Sequence, residues 1–276
     1  MTLTRFFYEH PIFSFDTFYD FKCKSGSSKK ENAHQALHHY IKTHKIISLR
    51  RELYAVVPPN ISSSNELLDN FFIDPYQLAA SVSSDSILAY HTALELHGVS
   101  YSNFQRFTFF SAKKIKPFEY QGQLFQPVSQ INALEKLNKE NVLVISENRG
   151  GMTIKLTSLS RTYVDVLNRP DLCGGWEEVC RSISNISVVD TDEIIDYCLL
   201  LGNSILCAKV GFFLDRRGGA FAISNDQQNK LMLNRPKSPC YLERRNSGSS
   251  TFISKWNLMV PDRILNYQWE EPDYDI

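Results

Sequence analysis

Residues 28–57, SKKENAHQALHHYIKTHKIISLRRELYAVV, decide the fold at the amino-terminal end of the chain. The first half predicts a helix, because Ser28 and Glu31 have the spacing of a capping box and apolar residues then recur at helical intervals. These apolar residues are Ala33, Ala36, Leu37, Tyr40 and Ile41. The second half predicts two short strands, residues 46–49 and 53–57, joined by Arg50-Arg51-Glu52. The stretch therefore predicts a helix followed by a small hairpin with a basic tip.

A preceding helix is predicted over residues 14–22, where Phe15, Phe18 and Tyr19 share one face. Residues 24–27, KSGS, supply the turn between the two helices. This order is typical of a winged helix-turn-helix, in which the second helix enters the major groove of DNA and the wing lies along the backbone or the minor groove. A small packing unit without a DNA-binding role can show the same pattern.

The second helix has a polar face whose residue types suit base edges and phosphates. The chain has no net charge, but residues 1–58 hold nine lysines and arginines against five acidic residues. A positive segment favours DNA, because phosphate neutralisation supplies most non-specific affinity. The candidate DNA-binding residues are Lys29, Lys30, Asn32, Gln35, His38, His39, Lys42, Arg50 and Arg51.

A domain boundary is predicted at Pro58-Pro59-Asn60, where residues 61–65, ISSSN, continue the break. Residues 1–58 then form the winged helix-turn-helix domain, and residues 59–276 form a larger mixed α/β domain. In the larger domain a helix is predicted over residues 84–98, a small and mostly antiparallel sheet over about 104–156, and helices over about 158–215. The predicted fold class is α+β.

Chemical motifs are scarce, and we expect a protein that is not an enzyme and needs no cofactor. The sequence has no G-x-S-x-G, no Walker-type loop and no H-E-x-x-H. His34 and His38 stand four residues apart, with His39 and His44 near them, but no carboxylate or cysteine completes a metal site. A nuclease-like larger domain using Glu119 and Lys155 is the enzymatic alternative, and a protein-interaction module is a third. His91 and His97 are expected to be core or boundary residues.

The six cysteines form no C-x-x-C pair and predict free thiols, mostly buried, in a reducing compartment. With no signal segment or apolar run of membrane length, the expected location is the cytoplasm, with no membrane partner.

A second basic group near the carboxy-terminal end predicts either another positive surface or an ordinary solvated one. Its members are Arg216, Arg217, Lys230, Arg235, Lys237, Arg244, Arg245 and Lys255.

Five segments, in order, resemble the AbiEi family of type IV antitoxins and its transcription-regulator relatives. They are RRELYAVVPP (50–59), DPYQLAASVSSDSILAYHTALELHG (74–98), SLSRTYVDVLNRPDLCGGWEEV (158–179), LLLGNSILCAKVGFFLD (199–215) and KWNLMVP (255–261). The resemblance extends from about Phe15 to Pro261.

The resemblance implies a winged helix-turn-helix domain joined to an antitoxin domain. It implies repression of the protein's own operon through inverted repeats in the promoter. It also implies counteraction of a co-encoded nucleotidyltransferase toxin, as in abortive infection by phage, without a stable toxin–antitoxin complex. The basic residues of the winged domain would carry DNA binding. This chain departs from the family at the wing, where relatives commonly have R-R-G and Glu52 follows Arg51 here. A solitary regulator without a toxin is the alternative within the family.

Overall fold

The computed structural model describes residues 2–26, 29–59, 61, 71–221, 223–243, 248–267 and 269, and its architecture is mixed α and β, in agreement with the predicted α+β class. The chain divides into two compact units. The first comprises Met1–Leu88, Gln105–Ser129 and Ile145–Leu156, and the second comprises Ala89–Phe104, Gln130–Val144 and Thr157–Ile276. The predicted boundary between residues 58 and 59 falls inside the first unit.

The first unit begins with a small segment, residues 2–57, that we call the head. Its elements are α1 (Leu3–Glu9), β1 (Ile12–Ser14), α2 (Phe15–Lys24), α3 (Lys30–Lys42), β2 (Ile46–Arg50) and β3 (Leu53–Val56). The strands form one antiparallel sheet in the order β1-β3-β2. The two predicted helices and the hairpin are confirmed, whereas β1 was not predicted. The predicted capping residue Ser28 lies outside the described residues, and Lys29 is the residue before α3, without a side-chain cap.

The head folds around aromatic side chains. Ser14 caps α2, because its hydroxyl accepts a hydrogen bond from the Thr17 N–H at 3.1 Å. The core of the head contains Phe6, Phe13, Phe15, Phe18, Phe21, Ala33, Leu37 and Ile46. Each fully buried large apolar side chain contributes about 1.5–3 kcal/mol relative to exposure. This core fixes which face of α3 turns inward.

The remainder of the first unit is built on a six-stranded sheet. Its helix is α4 (Pro75–Ser81), and its strands are β4 (Ile87–Leu88), β5 (Arg106–Phe110), β6 (Phe118–Tyr120), β7 (Gln123–Val128), β8 (Val144–Arg149) and β9 (Met152–Thr157), in the order β6-β7-β5-β4-β9-β8. Gln121 and Gly122 form the hairpin turn between β6 and β7, and both residues have the positive φ that a tight hairpin turn favours. The predicted small sheet is mixed: β4 pairs with β5 and β6 with β7 in antiparallel fashion, whereas β5 pairs with β7 and β4 with β9 in parallel.

The predicted helix over residues 84–98 is wrong in its first half. Ile87 and Leu88 form the central strand β4, paired with Phe110 and Phe109 of β5. Only the second half is helical, as α5 (His91–Leu96). Tyr90 separates the two with φ of 57° and ψ of −131°, a conformation that no α-helix contains. A short apolar run does not distinguish a buried strand from a buried helix, and pairing with distant strands decides the outcome.

The second unit is mainly helical. Besides α5, its α-helices are α6 (Asn132–Leu137), α7 (Leu159–Asn168), α8 (Trp176–Ser184), α9 (Thr191–Leu200), α10 (Ser204–Arg217), α11 (Asn225–Leu233) and α12 (Asp262–Leu265). Short 3-10 helices lie at Pro170–Cys173, Gly219–Phe221 and Ser254–Trp256. A small sheet is formed by β10 (Cys240–Tyr241), β11 (Ser250–Ile253) and β12 (Leu258–Pro261). The predicted helices over about 158–215 are confirmed, and the side chains of Ser158 and Asp190 cap α7 and α9. Helices α6 and α11 were not predicted.

Four cysteines are buried free thiols, as predicted, whereas Cys23 is exposed and Cys240 is half-buried. Within the described part of the chain, no helix has both the length and the apolar character that crossing a membrane requires.

Candidate nucleic-acid interface

Helix α3 presents one apolar and one polar face. Ala33 and Leu37 point into the core of the head and are almost completely buried. Gln35, His39 and Lys42 lie on the opposite side, because the helical repeat of 3.6 residues places positions three or four apart on the same side. Seven of the nine predicted DNA-binding residues are exposed: Asn32, Gln35, His38, His39 and Lys42 on the outer face, and Lys29 and Lys30 at the amino-terminal end of the helix. The Lys30 ammonium lies 5.6 Å from the centre of the Tyr19 ring on α2. The structure thus brings the five residues of the outer face together on one surface about 15 Å long.

A groove of about 640 Å³ lies between α3 and the hairpin. Its lining is polar along α3 and includes the ring of Tyr54 from β3, which sequence analysis did not single out. Burial raises the pKa of Tyr54, and the nearby Glu52 carboxylate adds to the effect, so its hydroxyl remains a neutral hydrogen-bonding group. The lining residues are His34, Gln35, Leu37, His38, His39, Ile41, Lys42 and Tyr54.

The hairpin tip separates its two arginines. Arg51 is exposed in the two-residue turn between β2 and β3, beside Glu52, whose φ is 59°. Arg50 is half-buried instead, and its guanidinium carbon lies 4.4 Å from the centre of the Phe118 ring on β6. Its Nη1 is buried and has no hydrogen-bond acceptor among the described residues. We therefore correct the prediction that both arginines form an open basic tip, because Arg50 is held against the six-stranded sheet.

The histidines of the head do not assemble a metal centre. Within the described ranges, no group of three or more histidine, cysteine or acidic side chains is placed to hold a metal ion. His34 stacks on Phe15 with ring centres 4.0 Å apart, which gives it a packing role. The exposed His38 and His39 of α3 are therefore available for hydrogen bonding to another molecule.

The carboxy-terminal basic residues contribute mainly to internal contacts. Arg216 donates to the carbonyls of Ile264 and Leu265, and Arg217 donates to the carbonyls of Ser184 and Ile186. Arg235 donates to the Met232 carbonyl, and Lys255 pairs with Asp215 at 2.6 Å. Lys230 and Lys237 are exposed, and Arg244 and Arg245 lie outside the described residues. Of the two alternatives predicted for this group, the contacts of its described members favour an ordinary surface over a second positive one.

Glu119 and Lys155, the pair named for a nuclease-like site, are not brought together. Glu119 lies on β6 and Lys155 on β9, and three strands separate these two in the sheet. With neighbouring strands about 4.8 Å apart, the two strands are about 19 Å apart. No single metal or substrate atom can contact both side chains.

Polar side chains of the second unit form a buried network around Asp165. Arg161 and Asp165 are completely buried, with Arg161 Nε 3.3 Å from an Asp165 oxygen. The Tyr197 hydroxyl donates to the other oxygen at 2.8 Å, and Arg161 also donates to the carbonyls of Glu140 and Val142. Burial raises the pKa of Asp165 to about 6, although Arg161 and Tyr197 act in the opposite direction. This network ties α7 to α9 and to the segment that follows α6.

A second buried group centres on His91, which was predicted as a core residue and is confirmed as one. Its ring stacks on Phe104 at 3.8 Å, and Nε2 lies 3.1 Å from Glu178 Oε1. The same oxygen accepts hydrogen bonds from the N–H groups of Tyr101 and Ser102. Burial opposes ionisation of Glu178, but these hydrogen bonds outweigh it and lower its pKa to about 2. Burial also disfavours the charged form of His91, yet Glu178 and Glu95 raise its pKa above the ordinary value.

No protein-family model matches this chain, and no curated protein sequence matches it. Among solved structures, the RV2827C protein from Mycobacterium tuberculosis has a similar fold. Its crystal structure superposes with a TM-score of 0.57, covering 93% of this chain and 89% of that chain at 12% sequence identity. At this identity the likeness concerns the fold alone.

Proposed function

We propose that this protein is a DNA-binding transcriptional regulator whose head is a winged helix-turn-helix. In this proposal α3 is the recognition helix, and the β2–β3 hairpin is the wing. The observation that carries the proposal is the exposed polar face of α3, with five hydrogen-bonding or cationic side chains and two further lysines at its start, next to a groove bordered by the hairpin. A helix with such a face fits the major groove of duplex DNA, which is wide enough to admit it.

The contacts divide by chemistry into base recognition and phosphate binding. Gln35 and Asn32 carry amides of the kind that pair with adenine, and His38 and His39 add further hydrogen-bonding groups. Lys29, Lys30, Lys42 and Arg51 supply the positive charges for phosphates. Arg50 is assigned to holding the wing in place, since its guanidinium stacks on Phe118.

We further propose that the protein is a type IV antitoxin related to the AbiEi family. It would repress its own operon at inverted repeats and counteract a nucleotidyltransferase toxin in the cytoplasm, without forming a stable complex with the toxin. This part rests on the five sequence segments that resemble the family in the same order. Growth rescue on co-expression with the neighbouring nucleotidyltransferase, without co-purification, is the expected result. Failure of the protein to restore growth would favour the alternative, in which the protein is a solitary regulator without a toxin.

DNA binding is tested by titrating the promoter fragment at two salt concentrations. Replacing Lys42 and Arg51 with alanine should weaken binding and lower its salt dependence, by about 0.9 in the slope for each phosphate that is no longer neutralised. The matched control replaces Lys136 and Lys139, two exposed lysines of the second unit, and should bind like the wild type. Equal binding by all three proteins would show that the head does not bind DNA. Cleavage of the DNA by pure protein would instead favour a nuclease.

A further inference from the structure

A second basic segment lies in the first unit, in the loop between β5 and β6. Residues 111–117, SAKKIKP, contain three lysines and no acidic residue. Lys113, Lys114 and Lys116 are all exposed. The ion pairs among the described residues include none of the three. Their charges are therefore not neutralised by salt bridges within the described structure.

Both ends of this loop are fixed. At its start, Asp85 accepts hydrogen bonds from the Ser111 hydroxyl at 3.1 Å and from the Ala112 N–H at 2.6 Å. Burial opposes ionisation of Asp85, but hydrogen bonds from Ser83, Ala112 and Ser111 lower its pKa, so it remains an anion. At the other end, Phe118 stacks on the fully buried Phe125 with ring centres 5.0 Å apart. The three lysines therefore extend from a loop that is anchored at both ends.

The wing and this loop meet at Phe118. The Arg50 guanidinium, in the last residue of β2, lies 4.4 Å from the Phe118 ring centre. Lys116 precedes Phe118 by two residues, so their backbones are at most about 7 Å apart. Lys113 precedes it by five residues, which limits the separation to about 18 Å. The exposed Arg51 and the three lysines therefore belong to one neighbourhood of the first unit.

We propose that the loop of residues 112–117 is a second phosphate-binding segment, which extends the DNA contact of the wing along the backbone of the same duplex. The inference rests on the proposed function of the head. Duplex DNA carries one negative charge per about 1.7 Å of its axis, so a group of cations spread over this distance meets several phosphates. Three acids adjoin the surface, Glu52, Asp85 and Glu119, and are outnumbered by Arg51 and the three lysines. Arg50 is a positioning residue that keeps the wing beside the loop.

The test compares three full-length variants in promoter titrations over a series of salt concentrations. The loop variant carries Lys113→Ala, Lys114→Ala and Lys116→Ala. The charge-matched control carries Lys136→Ala, Lys139→Ala and Lys155→Ala, all at exposed positions outside the loop. The third variant has arginine at the three loop positions. Urea unfolding of each variant verifies that the proteins are equally folded.

The loop variant should show a smaller slope of log K against log salt, by about 0.9 for each phosphate that the loop no longer neutralises. Its footprint on the promoter should shorten, whereas the control and the arginine variant should match the wild type. A loop variant that binds like the wild type overturns the inference and leaves the proposed function of the head intact. Equal weakening in the loop variant and the control also overturns it, because net charge would then explain both. Absence of promoter binding by the wild type overturns the proposed function together with the inference.

Discussion

Two histidines of α3 and two of the second unit occupy different environments. His38 and His39 lie exposed on α3, whereas His91 is 1% exposed and contacts Glu178 at 3.1 Å, and His97 lies 2.8 Å from the Thr157 carbonyl. The same contrast holds for cations, since Arg161 is buried in a network and Lys42 is at the surface. These polar groups of the second unit form bonds within the fold. Those of α3 face outward, where a ligand can reach them, so substitutions in the two regions should change different properties.

The largest expected effect is on stability, in the buried network. Asp165→Asn removes the charge that faces the buried Arg161 guanidinium, and loss of one partner of a buried pair costs about 3–5 kcal/mol. Urea unfolding should show this loss. The control is Asp171→Asn, which breaks the exposed pair with Arg169 and should cost less than about 1 kcal/mol. Equal effects of the two substitutions would contradict the assignment of Asp165 to structure.

A smaller effect is expected at His91, together with a change in pH dependence. Because the folded-state pKa of His91 is raised, its contribution to stability is complete below the ordinary pKa of about 6.5 and is lost as the pH rises through the raised value. Glu178, with a pKa of about 2, loses its contribution only as the pH falls from about 4.5 towards 2.

His91→Gln should therefore remove the decline in stability above about pH 6.5 and cost about 1–3 kcal/mol in the plateau below it. The measurement is urea unfolding at a series of pH values. His39→Gln, on the exposed face of α3, should leave the unfolding free energy unchanged within about 0.5 kcal/mol. A parallel pH dependence in wild type and His91→Gln would refute the role given to His91.

On α3 the expected effect falls on recognition of DNA and not on folding. Gln35→Ala should weaken binding to the promoter by about 1–3 kcal/mol, if its amide contacts a base. Binding to a random duplex should change little, and the unfolding free energy should stay within about 0.5 kcal/mol. Competition titrations of the two duplexes measure the difference. A uniform loss on both duplexes would assign Gln35 to the backbone instead of a base.

The smallest expected effect concerns the turn of the β2–β3 hairpin, where Glu52 follows Arg51. Glu52 lies beside Arg51 and would repel phosphates, so Glu52→Gln should strengthen promoter binding by about 0.2–1 kcal/mol at low salt. The gain should fade as salt is added, because surface charges are screened. Glu193→Gln, an exposed position of the second unit, provides the control. Weaker binding by Glu52→Gln would mean that the carboxylate orders the turn and does not oppose DNA.

The sequence predicted those elements that local signals define. Ser14 with its aromatic stripe indicates α2, the spacing of Ala33 and Leu37 indicates α3, and alternation on both sides of residues 51–52 indicates the hairpin. Most of the outer face of α3 followed from the same periodicity, since buried and exposed positions are complementary on one helix.

The remainder depends on contacts between distant parts of the chain. The strand at Ile87–Leu88 is decided by pairing with β5 and β9, and no periodicity within residues 84–98 contains that information. The position of Arg50 is decided by Phe118, an aromatic residue of a strand far along the chain. The division into units also could not be predicted, because three separate segments of sequence form the first unit.

Photo-crosslinking from α3 to the promoter tests the central claim most directly. A photoreactive amino acid replaces His38 in one protein and Leu233 in another, the latter 85% exposed in the second unit. If α3 is the recognition helix, position 38 should crosslink to a few bases within each half of the inverted repeat, and position 233 should give no crosslinks. Crosslinks from position 233 alone, or none from position 38 under conditions where the promoter is bound, would contradict the claim that α3 enters the groove.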